Sequence, residues 1–339
     1  MDAAANRTRE GLRVIEDYAR FALDDRHLTE FCKRLRHRVT DILATIDPAH
    51  RLAARETRAD VGTKPSASVS NQRHDLGDLL SANFARVQEA LRSLEEFAKL
   101  HDAAAAAALE QLRYECYTLQ RAVETTRLNQ RRLGDATLYV LVDGCASREA
   151  FSQKVAALVA AGVHAIQLRD KQLDDRTLLE RARALRSLTR GTPTYTIVND
   201  RPDLALLADA DGVHVGQSEL TVKDARIVVG PDRLIGVSAH SLDQAREAVL
   251  NGADYLGVGP VFASATKQFA QFPGLELLRA VAAEIRLPAF AIGGITAENL
   301  GEVRKAGIHR IAVSAAVAAA PDPGQAARHL LQLLTENRT

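Results

Sequence analysis

From Thr137 onward the chain settles into one rhythm: short apolar runs alternating with amphipathic stretches of helical spacing. The runs fall at 138–142, 165–168, 195–198, 212–215, 234–237, 255–258, 289–292 and 310–313, and intervening segments such as 149–161, 178–188, 242–251 and 297–306 read as helices. Runs this short and this apolar suit parallel strands buried on both faces. Glycines at 162, 252 and 307 stand where helices give way to strands, the place of a left-handed C-cap. Eight strands, each followed by a helix, within about 200 residues are the pattern of a (β/α)8 TIM barrel. An open doubly wound sheet is the alternative, but it usually has fewer strands.

Residues 1–133 follow another period. Leu12, Ile15, Tyr18, Ala19 and Ala22, and then Val87, Leu91, Leu94, Phe97 and Ala98, recur at helical spacing. The stretch 7–19, RTREGLRVIEDYA, lies without a gap over 86–98, RVQEALRSLEEFA, which suggests a duplicated helical hairpin. Between the copies, 60–68 (DVGTKPSAS) breaks the pattern and reads as a loop. The alanines after Asp102 read as solvated helix. A long helix then ends near the basic segment 129–132, so we expect an all-α domain over 1–133 and a barrel over 134–339.

The bulk numbers remove some classes of function. Basic and acidic residues number 44 and 43, a formal net charge of +1, which offers no global field for nucleic acid or an anionic membrane. No apolar run approaches the roughly 20 residues needed to span a bilayer. Cys32, Cys116 and Cys145 are far apart and show no metal spacing, which suits reduced thiols. Met1-Asp2-Ala3, with Arg7 and Arg9 close behind, lacks a signal peptide's apolar core, so the expected location is the cytoplasm. Subunit number is left open, a homo-oligomer included.

In such a barrel the chemistry gathers where strands end. Strand two ends in Gln167-Leu168-Arg169-Asp170-Lys171, and alternation would put Gln167, Arg169 and Lys171 on one side with Leu168 on the other. Two inward cations and an amide suit a clamp for phosphate oxygens, although a salt-bridged strand end reads similarly. Asp200 after strand three and Glu219 after strand four offer two hard oxygen ligands, the number magnesium commonly takes from protein; they read equally as solvated loop acids. His214 should point inward as a packed or substrate-lining side chain. Strand five supplies Ser238, and strand six runs into Ser264-Ala265-Thr266-Lys267, an anion-binding pattern. The stretch 267–274 reads as a lid. Gly293-Gly294 after strand seven and Ser314-Ala315 after strand eight fit the usual barrel phosphate site.

These residues resemble those of the thiamine phosphate synthase family over 137–335. The motifs that carry the resemblance are QLRDK at 167–171, Asn199-Asp200, HVGQ at 214–217, GVS at 236–238, GPVF at 259–262 with Thr266-Lys267, and IGGI at 292–295. The resemblance implies condensation of a hydroxymethylpyrimidine diphosphate with a thiazole phosphate, releasing pyrophosphate, with Mg2+ as cofactor. It implies that Gln167, Leu168, Arg169, Asp170, Lys171, Asn199, Ser238 and Lys267 surround the pyrimidine diphosphate, with Arg169, Lys171 and Lys267 catalytic. Asp200 and Glu219 would bind the metal; Ser264, Ala265, Thr266, Gly294, Ser314 and Ala315 would hold the thiazole phosphate. Three positions depart from the family pattern: Glu219 replaces the usual Asp, Ser264 the first hydroxyl of the Thr-x-Thr-Lys motif, and Ala315 a serine. The partners implied are small molecules, with neither nucleic acid nor membrane.

The N-terminal half is similar to a helical domain fused to this synthase in some bacteria, on residues 6–17 and 60–62. That likeness implies phosphorylation of hydroxymethylpyrimidine phosphate, with Arg7, Arg9, Arg13 and Asp60 as candidates; a scaffold is the other reading, since no GxxxxGK[ST] loop is present. Two rivals stand against the synthase: a thiazole tautomerase with the same barrel, and a non-catalytic thiazole-phosphate sensor. Neither needs a cationic diphosphate clamp beside paired carboxylates.

Overall fold

The computed structural model describes residues 1–44, 73–263 and 272–336. The chain divides into two compact units, Met1–Glu124 and Thr125–Thr339. The loop expected at 60–68 lies outside the described residues.

In the first unit, α1 (Asp2–Asp17) runs into a π-helical turn (Tyr18–Ala22) and is followed by α2 (Arg26–Ala44); α3 (Leu76–Ala98) is followed by α4 (Ala103–Arg132). Asp75 caps α3 by accepting from Asp78 N, and Asp102 Oδ1 accepts from the N–H groups of Ala104 and Ala105 at the head of α4. The alanine run is therefore helix, as its composition predicts.

The duplication seen in the sequence recurs in space. Glu16 and Glu95 hold matching positions in the two copies, and both are buried. Arg13 and Arg92, three residues earlier, lie 4.0 and 2.6 Å from them. A second arginine reaches each acid from the following helix through Nε: Arg36 at 3.0 Å and Arg113 at 3.1 Å. Helix α1 packs on α3 around Gly11, where a Cβ would meet Val87 Cγ2 at 2.6 Å.

The second unit is a closed barrel of eight parallel strands in sequence order. They are β1 (Leu138–Val142), β2 (Ala165–Leu168), β3 (Tyr195–Asn199), β4 (Gly212–Val215), β5 (Leu234–Ala239), β6 (Tyr255–Val258), β7 (Ala289–Ile292) and β8 (Ile311–Val313). The helices between them are α5 (Arg148–Ala160), α6 (Asp175–Thr189), α7 (Pro202–Leu207), α8 (Val222–Val229), α9 (Leu242–Asn251), α10 (Gly274–Glu284) and α11 (Leu300–Lys305); α12 (Ala315–Ala318) and α13 (Pro323–Thr335) follow β8. Gly162, Gly252 and Gly307 take φ of 85°, 84° and 93°, the left-handed conformation that a C-cap requires.

Inside the barrel, Tyr139, Ala165, Ile197, Leu234, Tyr255, Phe290 and Ala312 form the core, joined by Leu133 and Ala136 from just before β1. The end of α4 belongs to this unit. Asn129 Nδ2 donates to the buried Asp254 Oδ1 at 2.8 Å, and Gln130 Nε2 donates to Arg286 O at 3.1 Å. The compact unit thus begins at Thr125, earlier than the 133/134 division read from the change of rhythm, because these last helical turns bond to the barrel. Among the described residues no helix is long and apolar enough to cross a membrane.

Candidate active site

A cavity of about 390 Å³ opens at the C-terminal ends of the strands. Of the residues singled out from the sequence, Gln167, Arg169, Asn199, Ser238, Gly294, Ser314 and Ala315 line it, together with His214. Strand register explains their convergence: Gln167 pairs with Leu141 and Ile197, Asn199 with His214, and Ile292 with Ala312. Ser264, Ala265, Thr266 and Lys267 lie outside the described residues, as does 267–271 of the expected lid; Gly274 opens α10.

Lys171 is placed differently from its expected alternation. β2 ends at Leu168, and the ladder carries only one bond further, from Arg169 N to Val142 O at 2.8 Å. Past that point the chain turns, so Lys171 leaves the cavity wall and pairs with Asp200 Oδ2 at 3.1 Å and Glu219 Oε1 at 3.8 Å. Leu168 is buried in the barrel wall at 1% exposure, away from the cavity lining.

Asp170 serves the loops. Its carboxylate accepts from Gly144 N (3.1 Å), Gln172 N (2.9 Å) and Leu173 N (3.2 Å), tying the β1 loop to the one that carries Lys171. Arg181 completes the tie by donating to Gly144 O at 2.9 Å. Desolvation acts to raise the Asp170 pKa, but these backbone N–H groups outweigh it and hold the acid below its ordinary range.

The two candidate metal acids come from successive strand ends and approach a single cation. Asp200 takes φ of 59°, and its N–H bonds to His214 O at 2.8 Å. Among the described residues no group of three or more His, Cys, Asp or Glu is arranged around a metal. Two hard carboxylates within 4 Å of one ammonium are oxygen donors of the kind a divalent ion takes when phosphate and water complete its shell, so the residues present fit such an ion.

The opposite side of the cavity is made by backbone. Gly293 and Gly294 take φ of 105° and 63° and lie so close to the β6 loop that a Cβ on Gly294 would meet Ala263 O at 2.7 Å. Val261 N and Phe262 N donate to Ile292 O and Gly293 O. Asn299 fastens the turn, donating to Gly294 O at 2.8 Å and accepting from Thr296 N at 2.9 Å. Ser314 and Ala315, at the start of α12, face the same space.

Sequence reasoning passed over His240, Thr296 and the supporting Asn299. His240 lines the cavity and shares the β5 face with Ser238, so the alternation applied to β2 would have found it. Its Nδ1 lies 2.5 Å from Gly259 O.

Beneath the cavity runs a chain of polar groups, buried at Gln167, Tyr139 and Tyr255 and half-buried at His214 and Ser238. Gln167 Nε2 donates to Tyr139 Oη at 3.0 Å, and the Tyr139 and Tyr255 hydroxyls are 3.1 Å apart. Tyr255 Oη lies 3.3 Å from His214 Nδ1, and His214 Nε2 lies 3.0 Å from Ser238 Oγ. Burial pulls the His214 pKa down to about 4, with the Glu219 carboxylate opposing and Arg169 reinforcing the shift, so the imidazole is neutral at physiological pH.

Comparison with known proteins places the chain in a family. The family described as "Thiamine monophosphate synthase" matches residues 138–317, and the "ThiD2 family" matches residues 1–122. The thiamine-phosphate synthase of Rhodopirellula baltica is 42% identical over 94% of this chain and 87% of its own length. That of a Synechocystis species is 42% identical over 99% of this chain and 95% of its own. Among solved structures, the thiamine phosphate pyrophosphorylase from Pyrococcus furiosus shares 37% identity and a TM-score of 0.55, covering 62% of this chain and 98% of its own. By its barrel, its motifs and its full-length relatives, the chain belongs to the thiamine-phosphate synthase family.

Proposed function

We propose that the barrel joins 4-amino-2-methyl-5-hydroxymethylpyrimidine diphosphate to thiazole phosphate, yielding thiamine phosphate and pyrophosphate. The observation that carries this reading is the cavity's division into a cationic and amide side and a glycine-turn side, each suited to one anionic group. The bond from the pyrimidine methylene to the diphosphate oxygen breaks, its electron pair leaves with pyrophosphate, and the thiazole nitrogen donates the pair that forms the new C–N bond. Such a step calls for charge stabilisation and alignment more than for a general base.

Arg169 would fork two diphosphate oxygens from the cavity wall while Asn199 and Gln167 orient the pyrimidine. Lys171, at the edge, would shift its ammonium from the carboxylates toward the diphosphate, and Lys267 would add a second point charge. Asp200 and Glu219 would hold magnesium, which when bound neutralises charge on the departing diphosphate. Backbone N–H groups at Gly294 and Ala315, with the Ser314 hydroxyl, Ser264, Ala265 and Thr266, would hold the thiazole phosphate. On this arrangement Ala315 in place of a serine costs little, because the main chain does the binding.

The test is direct. The full chain, given both phosphorylated substrates and Mg2+, should release pyrophosphate in step with thiamine phosphate. Thiazole-phosphate binding without pyrophosphate release would favour the sensor, and thiazole isomerisation without condensation would favour the tautomerase.

For the helical unit, the ThiD2 match supports the implied phosphorylation of hydroxymethylpyrimidine phosphate. Arg7, Arg9 and Arg13 remain its candidates, Arg9 being bonded to Asn6 Oδ1 at 2.7 Å; Asp60 lies outside the described residues. The full chain with ATP and the pyrimidine monophosphate should form the diphosphate, and a failure to do so would leave the unit a scaffold.

A further inference from the structure

We infer that Tyr139, Tyr255 and His214 are positioning residues that fix the hydrogen-bonding sense of Gln167 and Ser238, and thereby make the cavity select a pyrimidine edge bearing an exocyclic amino group. The inference rests on the synthase reading and adds to it the origin of substrate selectivity.

The five polar groups form one continuous thread, from Gln167 on β2 through Tyr139 on β1 and Tyr255 on β6 to His214 on β4 and Ser238 on β5. Its interior is closed off: Tyr139 and Tyr255 are each 2% exposed. Only its two ends, with the His214 ring beside Ser238, line the cavity. A phenol has one hydrogen, and a neutral imidazole has one N–H. Those counts leave little freedom.

Tyr139 Oη accepts from Gln167 Nε2, so its own hydrogen needs an acceptor, and Tyr255 Oη at 3.1 Å is the one present among the described residues. Tyr255 must then donate onward to His214 Nδ1. With Nδ1 accepting, the imidazole proton sits on Nε2 and is given to Ser238 Oγ. The serine hydrogen is left for the cavity. Each group donates to the next, and the sense runs one way from Gln167 to Ser238.

The consequence appears at the two ends. Gln167 commits an N–H to Tyr139 and turns its Oε1, an acceptor, toward ligand; Ser238 presents a donor. An aminopyrimidine supplies the complement, an N–H2 donor beside ring-nitrogen acceptors. The opposite sense would need the Gln167 amide turned over and the other imidazole tautomer, which changes both ends together. The thread also cannot conduct a proton, because the amide at one end neither gives one up nor takes one. Its work is orientation.

The barrel makes room for this contact at a specific place. A Cβ at Gly236 would lie 2.1 Å from Tyr255 Cζ and 2.5 Å from His214 Nδ1, so the meeting of those rings depends on a glycine in β5. Phe290, edge-on to both tyrosine rings at 5.4 and 5.7 Å, holds them without offering a competing acceptor.

The experiment measures binding without the second substrate, so it does not depend on turnover. Calorimetry on the full chain compares the 4-amino pyrimidine diphosphate with its 4-oxo counterpart for the wild type, Tyr255→Phe and Tyr139→Phe. Wild type should prefer the amino ligand by about tenfold or more, as expected when a misfit ligand leaves a buried group unpaired. In Tyr255→Phe, the Tyr139 hydroxyl loses its acceptor and turns on Gln167, whose amide turns over; in Tyr139→Phe the amide is released. Both variants should bring the preference to within about threefold while keeping a wild-type circular dichroism spectrum. An unchanged preference in both variants, even with uniformly weaker binding, or no preference in wild type, overturns the inference. If either variant fails to fold, the other decides. Absence of pyrophosphate release from wild type supplied with both substrates would count against the synthase reading alone.

Discussion

The Lys171 ammonium lies 3.1 Å from Asp200 Oδ2, with Glu219 Oε1 3.8 Å away, so one cation bridges acids from the loops that follow two successive strands. On the proposed metal site, lysine and a divalent ion would compete for the same oxygens until a diphosphate drew the ammonium away. Lys171→Met should therefore tighten Mg2+ binding to the substrate-free protein, by roughly tenfold, while lowering turnover by about 10²-fold. Calorimetric titration with Mg2+ alone reads the first effect and pyrophosphate release the second. Weaker metal binding in the variant would refute the competition.

Arg169 lines the cavity, where a guanidinium can meet the charge that develops on the leaving group. Arg169→Ala should cost about 2–4 kcal/mol in the transition state, the scale of one preorganised donor removed. Lys267 carries the same expectation from its motif. Steady-state kinetics with both substrates checks each, and kcat/KM unchanged in the two variants would remove them from catalysis.

Much of the barrel was legible because its strands are buried on both faces. β1, β2, β4, β6 and β7 begin and end at the residues the apolar runs mark. The cavity-lining Gln167, Asn199 and Ser238 were legible too, since alternation holds inside a strand. It failed at Lys171 because β2 stops at Leu168 and loop geometry takes over. The thread through Tyr139 and Tyr255 was hidden for another reason. Each tyrosine reads locally as a core aromatic, and only closure of the barrel sets β1 and β6 side chains against one another. The end of α4 was likewise assigned by period, which does not register that Asn129 would satisfy Asp254 125 residues away.

The helical unit offers a test of its duplication. Glu95 is 1% exposed and bonded by Arg92, Arg113 and Lys99. Its burial acts to raise its pKa, but the bonds from Lys99 and Arg113 prevail and hold it below the ordinary carboxylate value. A carboxylate so lowered adds stability above its unfolded pKa of about 4.3, and that contribution disappears as pH falls through the folded value. Glu95→Ala should destabilise the unit by about 3 kcal/mol at pH 7, since it leaves the largely covered Arg113 without its carboxylate. Glu16→Ala, at the matching position, should cost less, because Arg36 and Arg13 there are more exposed than Arg113. Chemical denaturation followed by circular dichroism measures both; a loss under about 1 kcal/mol at either site would mean that its ion pair behaves like an exposed one.

His214 gives the barrel an acid-sensitive element of opposite chemical type. Its imidazole ionises at about 6.5 when unfolded and, because of burial, at about 4 in the barrel. Between those values the unfolded chain binds a proton that the folded chain refuses, so stability rises with pH across that window. The favourable contribution is complete above about pH 6.5 and is lost as pH falls toward 4. At about 1.4 kcal/mol per pH unit, some 2 kcal/mol should have gone by pH 5. His214→Gln lacks the titrating group and should lack this slope, although it loses the bonds to Tyr255 and Ser238 at every pH. Urea denaturation of both proteins at pH 7 and pH 5 should show the wild-type advantage shrinking by about that amount. Two stability profiles running parallel over the interval would show that the fold leaves the histidine's pKa at its unfolded value, and the burial-driven shift would be refuted.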